Sequence, residues 1–469
     1  MEVFLIGIGG IGMCGVAGIL KNSGFKVYGS EKDRVYPPAS DILRKLGVPV
    51  YKFDPQNIIN IKPNAVIVGN AIKSDHPEVL ESKKLQIPLY SFPSFLEKFI
   101  LFDKKVLVCA GTHGKTTTTA LLSYVLEKSE LDPSYLVGGV LKHSLSNFRT
   151  GNNPWMVIEG DEYPSSFFDK NPKFLHYKPF GLILTSLEYD HADVYPDLNS
   201  LKIVFKKLIE LVPEDGVIIY NYDDSCLKSL ISKASIKARC ISYGKNSKAD
   251  FLLLESITTF QKNRFVNKIK AKTPFKEILE FSLSIPGEYN ALNALSVLAL
   301  IYGLNLLDSK IWQAYENFPG VKRRQELLYA DKNLIIIDDF AHHPTALKIT
   351  LRELQKAIKP ENTILVFEPR TNSSKRKIFQ KEYEENLALA DVIYLKEPPG
   401  IENIPKSERI NLCHISQSLK NKGKKVYFLN ENINLLEFSS EKTLLIFMSS
   451  AYFEKEVNRL FEILNHEEK

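Results

Sequence analysis

The feature that most constrains this chain is a glycine-containing turn between an apolar, β-branched run and a helical sequence. The run Val106–Ala110 stops at Gly111, and Gly114-Lys115-Thr116 begins the helical segment. Small residues in such a turn let backbone N–H groups reach phosphate oxygens, while lysine reaches the terminal phosphates and threonine can bind Mg²⁺. The alternative is an ordinary strand-to-helix turn. We interpret the segment as a phosphate loop of the residues Gly111, Thr112, His113, Gly114, Lys115, Thr116 and Thr117.

Size and composition narrow the class of protein. A chain of 469 residues is long enough for two to four domains, and 44% hydrophobic with 25% charged residues is typical of a globular protein. The sequence has no apolar run near the ~20 residues that a membrane span needs, and its start lacks the features of a signal peptide. The five cysteines are scattered, which favours free thiols in a reducing compartment. We therefore expect a cytoplasmic protein.

The net charge of +6 is small and spread over many lysines. Such an excess is typical of solvated helix faces, and it also suits anionic small-molecule substrates. We expect neither nucleic acid nor membrane as a partner.

The first hundred residues alternate short strands with helices, which predicts a Rossmann-like βαβ arrangement. The turn Gly7-Ile-Gly-Gly-Ile-Gly12 follows the first strand, and Glu31 follows the second. This pattern predicts a diphosphate at a helix N-terminus and a carboxylate near a ribose hydroxyl. Taken alone, it indicates NAD or FAD at least as readily as any other ligand. The predicted elements are strands Glu2–Ile8, Lys26–Ser30 and Ala65–Gly69, and helices Gly12–Ser23 and Ala39–Leu46.

Two further α/β blocks follow. The second begins at Val106, includes a β-rich hairpin or insert at 250–285, and ends in a helix at Asn290–Tyr302. The pattern breaks around Phe318–Val321, and the third block begins there. Glycine turns at the heads of two successive blocks indicate two phosphorylated ligands, one of them ATP. The predicted strands are Met156–Glu162, Gly181–Ser186, Gly216–Asn221, Leu334–Ile337, Thr363–Phe367, Val392–Leu395, Lys425–Phe428 and Thr443–Phe447.

Acidic side chains follow two apolar strands of the second block. Met156–Glu162 ends in carboxylates, and Leu182–Leu187 runs towards Asp190, His191 and Asp193. Carboxylates at strand ends beside a phosphate loop are well placed for Mg²⁺, and an imidazole between carboxylates can bind a second ion. The alternatives are a solvated strand end and a structural histidine.

Several polar groups lie further along the chain. Asn290 and Asn293 share one face of a helical first turn, where they could contact adenine or cap the helix, and capping is the simpler interpretation. Adjacent arginines at 323–324 could hold a transferring phosphate. Ile335–Pro344 is another apolar strand that runs into acids and then histidines, and Arg370 could bind a substrate carboxylate.

The order of these motifs resembles the Mur ligase family, the ATP-dependent amide-forming ligases of peptidoglycan assembly, over nearly the whole chain. The resemblance implies an α/β fold in three domains: a Rossmann-like domain at 1–102 for UDP-N-acetylmuramate, a phosphate-loop ATPase-type domain at 103–317, and a Rossmann-like domain at 318–469 for the amino substrate. Under this resemblance the first glycine turn holds a UDP-sugar, which replaces the NAD interpretation. It also implies a monomer or weak dimer.

The resemblance assigns roles to individual residues. Catalysis falls to Lys115, Glu162, His191 and Arg324, with Thr116, Glu162 and His191 as ligands of two Mg²⁺ ions. ATP contacts are the phosphate loop with Asn290, Asn293, Arg324, Asp339 and His342. UDP-sugar contacts are Gly7, Gly9, Gly10, Gly12, Met13, Ser30, Glu31 and Asn70, and peptide contacts are Arg370 and Asn372. The doublets at 323–324 and 338–339 leave those assignments open by one position.

Finer motifs concern the amine substrate. The members that add L-alanine typically carry Asp-His-Met-Asp and a His-Arg-x-x-Arg segment, whereas this chain has Asp190-His-Ala-Asp193 and Glu368-Pro-Arg-Thr-Asn372. With Phe167–Lys170 and Lys173–Pro179, these motifs resemble the murein peptide ligases, which attach L-alanyl-γ-D-glutamyl-meso-diaminopimelate. The alternatives are ligation of L-alanine and a UDP-sugar-binding sensor with an inactive ATP site.

Overall fold

The computed structural model describes residues 1–429 and 441–467, in which three sheets follow one another along the chain. The first sheet is parallel, and its strands are β1 (Glu2–Ile6), β2 (Lys26–Glu31), β3 (Val50–Lys52), β4 (Ala65–Val68) and β5 (Leu89–Ser91), in the order β3-β2-β1-β4-β5. Its helices are α1 (Ile11–Asn22), α2 (Ala39–Leu46), α3 (Pro55–Ile61), α4 (Pro77–Lys84) and α5 (Phe92–Phe99). This unit is the N-terminal lobe below.

The central lobe is built on a ten-stranded sheet. Its strands are β6 (Lys105–Ala110), β7 (Ser134–Leu141), β8 (Ser146–Arg149), β9 (Trp155–Gly160), β10 (Gly181–Leu184), β11 (Val217–Asn221), β12 (Arg239–Gly244), β13 (Phe251–Gln261), β14 (Arg264–Lys272) and β15 (Ile278–Leu283). They lie in the order β15-β14-β13-β12-β11-β10-β6-β9-β7-β8. Its helices are α6 (Lys115–Lys128), α7 (Leu198–Glu210), α8 (Ser225–Lys233), α9 (Glu288–Gly303) and α10 (Lys310–Glu316), with a 3₁₀ helix at Lys173–Tyr177.

The C-terminal lobe has a six-stranded sheet in the order β16-β17-β21-β18-β19-β20. Its strands are β16 (Glu326–Ala330), β17 (Leu334–Asp339), β18 (Asn362–Phe367), β19 (Val392–Leu395), β20 (Lys425–Phe428) and β21 (Thr443–Met448), and only β16 is antiparallel to its neighbour. Its α-helices are α11 (Pro344–Ile358), α12 (Gln380–Asn386), α13 (Leu412–Asn421) and α14 (Glu454–Glu467). No helix in the described part of the chain is long and apolar enough to cross a membrane.

The apolar run that opens the central lobe is explained by burial on both faces. In β6, Val106 and Val108 pack in one core cluster, whereas Leu107 and Cys109 pack in another on the opposite face. A parallel strand covered on both sides needs a continuous apolar sequence rather than an alternating one. The strand ends at Ala110, directly before Gly111, which is the first glycine of the phosphate loop.

Close packing on α1 fixes the N-terminal lobe against the central lobe. A Cβ atom on Gly18 would lie 2.0 Å from the Phe148 ring, and one on Gly15 would lie 2.5 Å from Leu136. The Asn147 side chain also donates to the carbonyl of Ile11 across 2.9 Å. The glycines let the helix approach β7 and β8 closely, which brings the first glycine turn towards the phosphate loop.

The predicted three-domain α/β architecture is confirmed, with local corrections. The strand predicted at Met156–Glu162 ends at Gly160, so Asp161 and Glu162 lie in the loop that follows it. Residues 250–285 contain the β13–β14 hairpin, which is one of the two predicted alternatives, and together with β15 this hairpin extends the central sheet rather than forming an independent insert. The antiparallel strand β16 was missed, because its five residues are all only half-buried and lack a buried apolar run.

Candidate functional site

A cavity of about 560 Å³ lies where the three lobes meet. The N-terminal lobe contributes Ile11, Gly12 and Phe92, next to the first glycine turn. The central lobe contributes the phosphate loop, parts of β7 and β9, the loops after β9 and β10, the 3₁₀ helix and the start of α9, and the rest of the lining comes from the segment that leads into the C-terminal lobe, the end of β17, α11 and the loop after β18. Most of the residues predicted for ATP and metal binding are therefore gathered around one space.

The phosphate loop has the backbone that its glycines predict. Gly111 has φ +135° and Gly114 has φ +81°, and a Cβ atom on Gly111 would lie 2.2 Å from Thr185 Oγ1. The N–H groups of Thr112 and His113 donate to the backbone and side-chain oxygens of Ser186. The first amides of α6, beginning at Lys115, have no intrahelical acceptor, so they are the donors available to an anion.

Lys115, Glu162 and His191 form a buried charged group. Glu162 Oε1 lies 3.0 Å from Lys115 Nζ and 2.7 Å from His191 Nε2, and the Glu162 side chain is only 1% exposed. Burial alone would raise the pKa of Glu162, but its contacts with Lys115 and His191 hold that pKa below its ordinary range. Lys115 Nζ also donates to the carbonyl of Gly111 across 2.6 Å. Three predicted catalytic residues thus share one hydrogen-bonded cluster.

Glu159, at the end of β9, belongs to the group of carboxylates that the sequence predicted for Mg²⁺, but it was not assigned an individual role. It accepts hydrogen bonds from Thr116 Oγ1 (2.9 Å) and from the N–H of Gly138 (2.7 Å). Burial raises the pKa of Glu159 even though Arg324 and Lys115 lie near it. The prediction paired Thr116 with Glu162, whereas the hydroxyl of Thr116 contacts Glu159. Its position at the end of an apolar strand was the available signal.

The amides of Asn290 and Asn293 line the cavity but do not cap a helix. Gly287 is the N-cap of α9 and makes no side-chain capping bond, so the capping interpretation was wrong. Asn290 Nδ2 donates to the carbonyl of Pro286 and to Gln325 Oε1, and Asn293 Nδ2 donates to Asn290 Oδ1. Asn293 also packs against the phosphate loop, because a Cβ atom on Gly114 would lie 2.8 Å from its Oδ1.

The two members of each doublet, Arg323-Arg324 and Asp338-Asp339, have different surroundings. Arg324 and Asp339 line the cavity, and Arg324 lies over the Phe340 ring with its Cζ 4.5 Å from the centroid. Arg323 instead pairs with Asp338 and donates to backbone carbonyls at 449–451. Burial raises the pKa of Asp338 to about 6 despite this pairing. The sequence left each doublet open by one position, and the geometry favours the second member of each.

Two adjacent histidines lie between the central and C-terminal lobes. His342 lines the cavity, with Nδ1 lying 3.0 Å from the carbonyl of Phe340. His343 is the N-cap of α11, where its Nδ1 accepts from the N–H of Thr345. Burial lowers the pKa of each histidine to about 4, so both are neutral near pH 7.

The first glycine turn meets the cavity at one end. Gly7 has φ +78°, and the N–H of Gly9 donates to Glu31 Oε2 across 2.7 Å. Glu31 Oε1 accepts from the N–H of Lys32, so the carboxylate folds back onto backbone amides. Gly10 is the N-cap of α1, and Cβ atoms on Gly10 or Gly12 would meet nothing within 4 Å, which leaves open space beside the helix N-terminus.

Three other predicted UDP-sugar contacts do not line the cavity, although the carbonyl of Ser30 accepts from the N–H of Gly7 in the first glycine turn. Met13 is buried in the apolar core, the hydroxyl of Ser30 donates to the buried Glu78 across 2.6 Å, and Asn70 is exposed. The predicted peptide contacts also lie outside the cavity: Arg370 lies 3.5 Å from Glu368, and Asn372 donates to Asp193 in the central lobe. Their neighbours Thr371 and Ser373 line the cavity instead.

The oxygen-rich cluster beside the phosphate loop suits Mg²⁺. Glu162 Oε2 is buried and has no hydrogen-bond partner among the described residues, while the hydroxyl of Thr116 and the carboxylate of Glu159 contact each other and line the cavity. Magnesium prefers such hard oxygen ligands and keeps part of its water shell. The donor set therefore fits the ion.

Taken together, a phosphate loop, buried carboxylates and a second glycine turn on one cavity define an α/β protein of the phosphate-loop class. Comparison with protein families extends this result. Residues 2–103 match the model described as "Mur ligase family, catalytic domain", residues 109–301 the "Mur ligase middle domain", and residues 323–442 the "Mur ligase, glutamate ligase domain". The chain belongs to the Mur ligase family, a family of ATP-dependent, amide-forming ligases.

Individual relatives are of two kinds. The UDP-N-acetylmuramate–L-alanine ligase of Caldicellulosiruptor saccharolyticus is 35% identical over 84% of this chain and 83% of its own length. The UDP-N-acetylmuramate–L-alanyl-γ-D-glutamyl-meso-2,6-diaminoheptandioate ligase of Escherichia coli is 33% identical over 86% of each chain. The crystal structure of a UDP-N-acetylmuramate–alanine ligase from Thermotoga maritima superposes with a TM-score of 0.81, at 27% identity over 100% of both chains. The predicted family and enzyme class are confirmed, while domain boundaries and residue roles stay predictions.

Proposed function

We propose that this chain joins the carboxylate of UDP-N-acetylmuramate to the free amine of L-alanyl-γ-D-glutamyl-meso-diaminopimelate, using ATP. The observation that carries this proposal is the shared cavity: Gly12 of the first glycine turn and Lys115 of the phosphate loop line the same space. A carboxylate held on one side can therefore reach a γ-phosphate held on the other. Bringing reactants together in this way removes a large part of the entropic barrier to their reaction.

The reaction proceeds in two steps. The muramoyl carboxylate oxygen attacks the γ-phosphorus of ATP, and ADP leaves, which yields an acyl phosphate. The peptide amine then attacks the carbonyl carbon, the bond between that carbon and the bridging oxygen breaks, inorganic phosphate leaves, and the nitrogen releases one proton to solvent or to that phosphate. Lys115 and Arg324 are positioned to offset the negative charge that accumulates on the transferred group.

Thr116, Glu162 and His191 would hold Mg²⁺, as the resemblance implies, and Glu159, which contacts Thr116, would be a further oxygen ligand for it. When bound, the ion neutralises phosphate charge and orients the triphosphate. Lys115 Nζ and His191 Nε2 both contact Glu162 Oε1 and so hold this carboxylate in place. Its other oxygen, Oε2, has no hydrogen-bond partner among the described residues. We expect two ions, as the family resemblance implies.

The lining of the C-terminal lobe supports a peptide as the amine substrate. A free amino acid carries a charged carboxylate next to its amine, whereas a peptide carries a neutral amide there. Among the described residues of 318–469, Arg324 is the one lysine or arginine that lines the cavity, and its guanidinium contacts Thr116 of the phosphate loop, whereas Thr371 and Ser373 are neutral. Arg370 lies beyond them, paired with Glu368, where it could meet a more distant carboxylate.

The L-alanine ligase is the alternative, because relatives of both kinds match most of the chain. ADP release measured in parallel with UDP-N-acetylmuramate and either amine separates the two. We expect kcat/KM to be roughly 100-fold higher with the tripeptide, since a polar site strongly rejects a substrate that leaves its groups unpaired. Higher efficiency with L-alanine would favour the alternative, and absence of ADP release with either amine would favour an inactive UDP-sugar-binding sensor.

A further inference from the structure

Glu188 contacts both the phosphate loop and the C-terminal lobe with one carboxylate oxygen. Its Oε2 lies 3.2 Å from His113 Nε2 and accepts a hydrogen bond from Thr345 Oγ1 across 3.0 Å. His113 lies within the phosphate loop, and Thr345 lies in the first turn of α11. One side chain in the loop after β10 therefore joins two parts of the molecule that are distant in sequence.

The backbone of Glu188 is itself fixed to the phosphate loop. Its N–H donates to Thr112 Oγ1 across 2.9 Å, and the same hydroxyl lies 3.1 Å from the carbonyl oxygen of Glu188. Two residues earlier, Ser186 accepts from the loop amides described above. A change in the position of Glu188 must therefore change the loop as well.

The other end of the contact belongs to a helix that lines the cavity. Residues Ala346, Ile349 and Thr350 of α11 face the same space as the phosphate loop. The ring of His343, which caps this helix, lies 4.9 Å from the ring of His113. Docking of α11 thus brings its first turn against the phosphate loop, with Glu188 between them.

The carboxylate of Glu188 is in the right state to accept both contacts. Its hydrogen bond to His113 lowers the pKa of Glu188 below the ordinary value, and the contact with Thr345 acts in the same direction. An ionised carboxylate accepts only, and its hydrogen bonds are roughly twice as strong as those between neutral groups.

We propose that Glu188 is a positioning residue for the ligation reaction. This residue couples docking of the C-terminal lobe to the conformation in which the phosphate loop binds ATP. This inference rests on the proposed function only in requiring that ATP binds to the loop. Thr345 does not belong to the phosphate loop, yet through Glu188 it contributes to the affinity for ATP.

A double-mutant cycle tests the coupling. The dissociation constant for ATP is measured by titration calorimetry, without an amine substrate, for Thr345→Val, Glu188→Ala and the double variant. We expect Thr345→Val to weaken ATP binding roughly 5-fold or more in the parent chain, which is the lower end of typical coupling between sites. In the Glu188→Ala background the same substitution should have almost no effect. Thr345→Ser, which keeps the hydroxyl, should restore the parent affinity.

Asn263→Asp provides the matched control. Asn263, in the turn between β13 and β14, donates to the carbonyl of Ala330 across 3.0 Å, so it contacts the C-terminal lobe away from the phosphate loop. Its effect on ATP affinity should be the same factor with or without Glu188. Equal effects of Thr345→Val in both backgrounds, or failure of Thr345→Ser to restore affinity, would overturn the proposal. An incorrect amine substrate would leave all these affinities unchanged, so the two failures are distinguishable.

Discussion

The Arg324 guanidinium donates to the hydroxyl of Thr116 across 3.0 Å. Arg324 directly precedes the C-terminal sheet, whereas Thr116 lies in the first turn of the phosphate-loop helix. The contact spans 208 positions in the sequence. The segment that leads into the C-terminal lobe thus carries a cation that contacts Thr116, the residue of the central lobe for which we propose a role in binding Mg²⁺.

Replacing Arg324 by lysine should reduce the rate although the charge is kept. Arginine presents a planar fork that can contact Thr116 and stack on Phe340 together, which the point charge of lysine cannot reproduce. We expect kcat to fall about 100-fold, the typical cost of losing one donor to a transition-state anion. The measurement is steady-state ADP release at saturating ATP, and a kcat within a factor of two of the parent would refute this role.

Lys115→Ala should abolish turnover. The variant removes the side chain that can reach the terminal phosphates, and we expect kcat to fall at least about 1,000-fold. It also leaves the buried Glu162 with His191 as its remaining charged partner, so thermal stability should fall while the fold is kept. Circular dichroism checks the fold, and ligation at the parent rate by this variant would defeat the proposed mechanism.

Gly18→Ala should destabilise the contact between the first two lobes. The new methyl group would lie 2.0 Å from the Phe148 ring, and such overpacking costs about 1–3 kcal/mol. Gly12→Ala, in the same helix, is the matched control for stability because its methyl group would meet nothing within 4 Å. Urea denaturation should show a lower free energy of unfolding for the first variant alone, and equal values for the two would count against this packing.

His343 should make the protein sensitive to acid. Burial lowers its folded pKa from 6.5 to about 4, so between these values the unfolded chain binds a proton that the folded chain does not. Its contribution to stability is complete above pH 6.5 and is lost as the pH falls towards 4. His343→Asn keeps an N-cap acceptor and should remove up to about 3 kcal/mol of this loss. Denaturation at pH 7 and at pH 4 measures it, and an unchanged pH dependence would be the contrary result.

Much of the fold follows from local sequence. Buried parallel strands such as Val392–Leu395 were predicted to the residue, because a run buried on both faces leaves few alternatives. The strand β16 could not be found this way, since it pairs at a sheet edge and its residues are half-buried. Its position depends on β17, which is a tertiary contact.

The site residues likewise fall into two groups, those that local sequence predicts and those that depend on tertiary contacts. Lys115 and Glu162 could be predicted from sequence because the phosphate loop and the acidic residues that follow an apolar strand are local patterns. The roles of Glu159 and Glu188 depend on which hydroxyl or imidazole the fold brings to them, and their partners are 43 and 75 positions away. Met13 was assigned to the UDP-sugar through the family resemblance, but the helix turns its side chain into the core.

The central claim is that the two glycine turns bring a carboxylate to the γ-phosphate. The most direct test is whether an oxygen atom of that carboxylate is transferred to the released phosphate. UDP-N-acetylmuramate labelled with ¹⁸O in its carboxylate is converted with ATP and the tripeptide, and the released phosphate is analysed by mass spectrometry. We predict that each phosphate formed carries one labelled oxygen from the carboxylate, because the bridging oxygen of the acyl phosphate leaves with phosphorus. Release of phosphate without label, alongside normal amide product, would contradict the account.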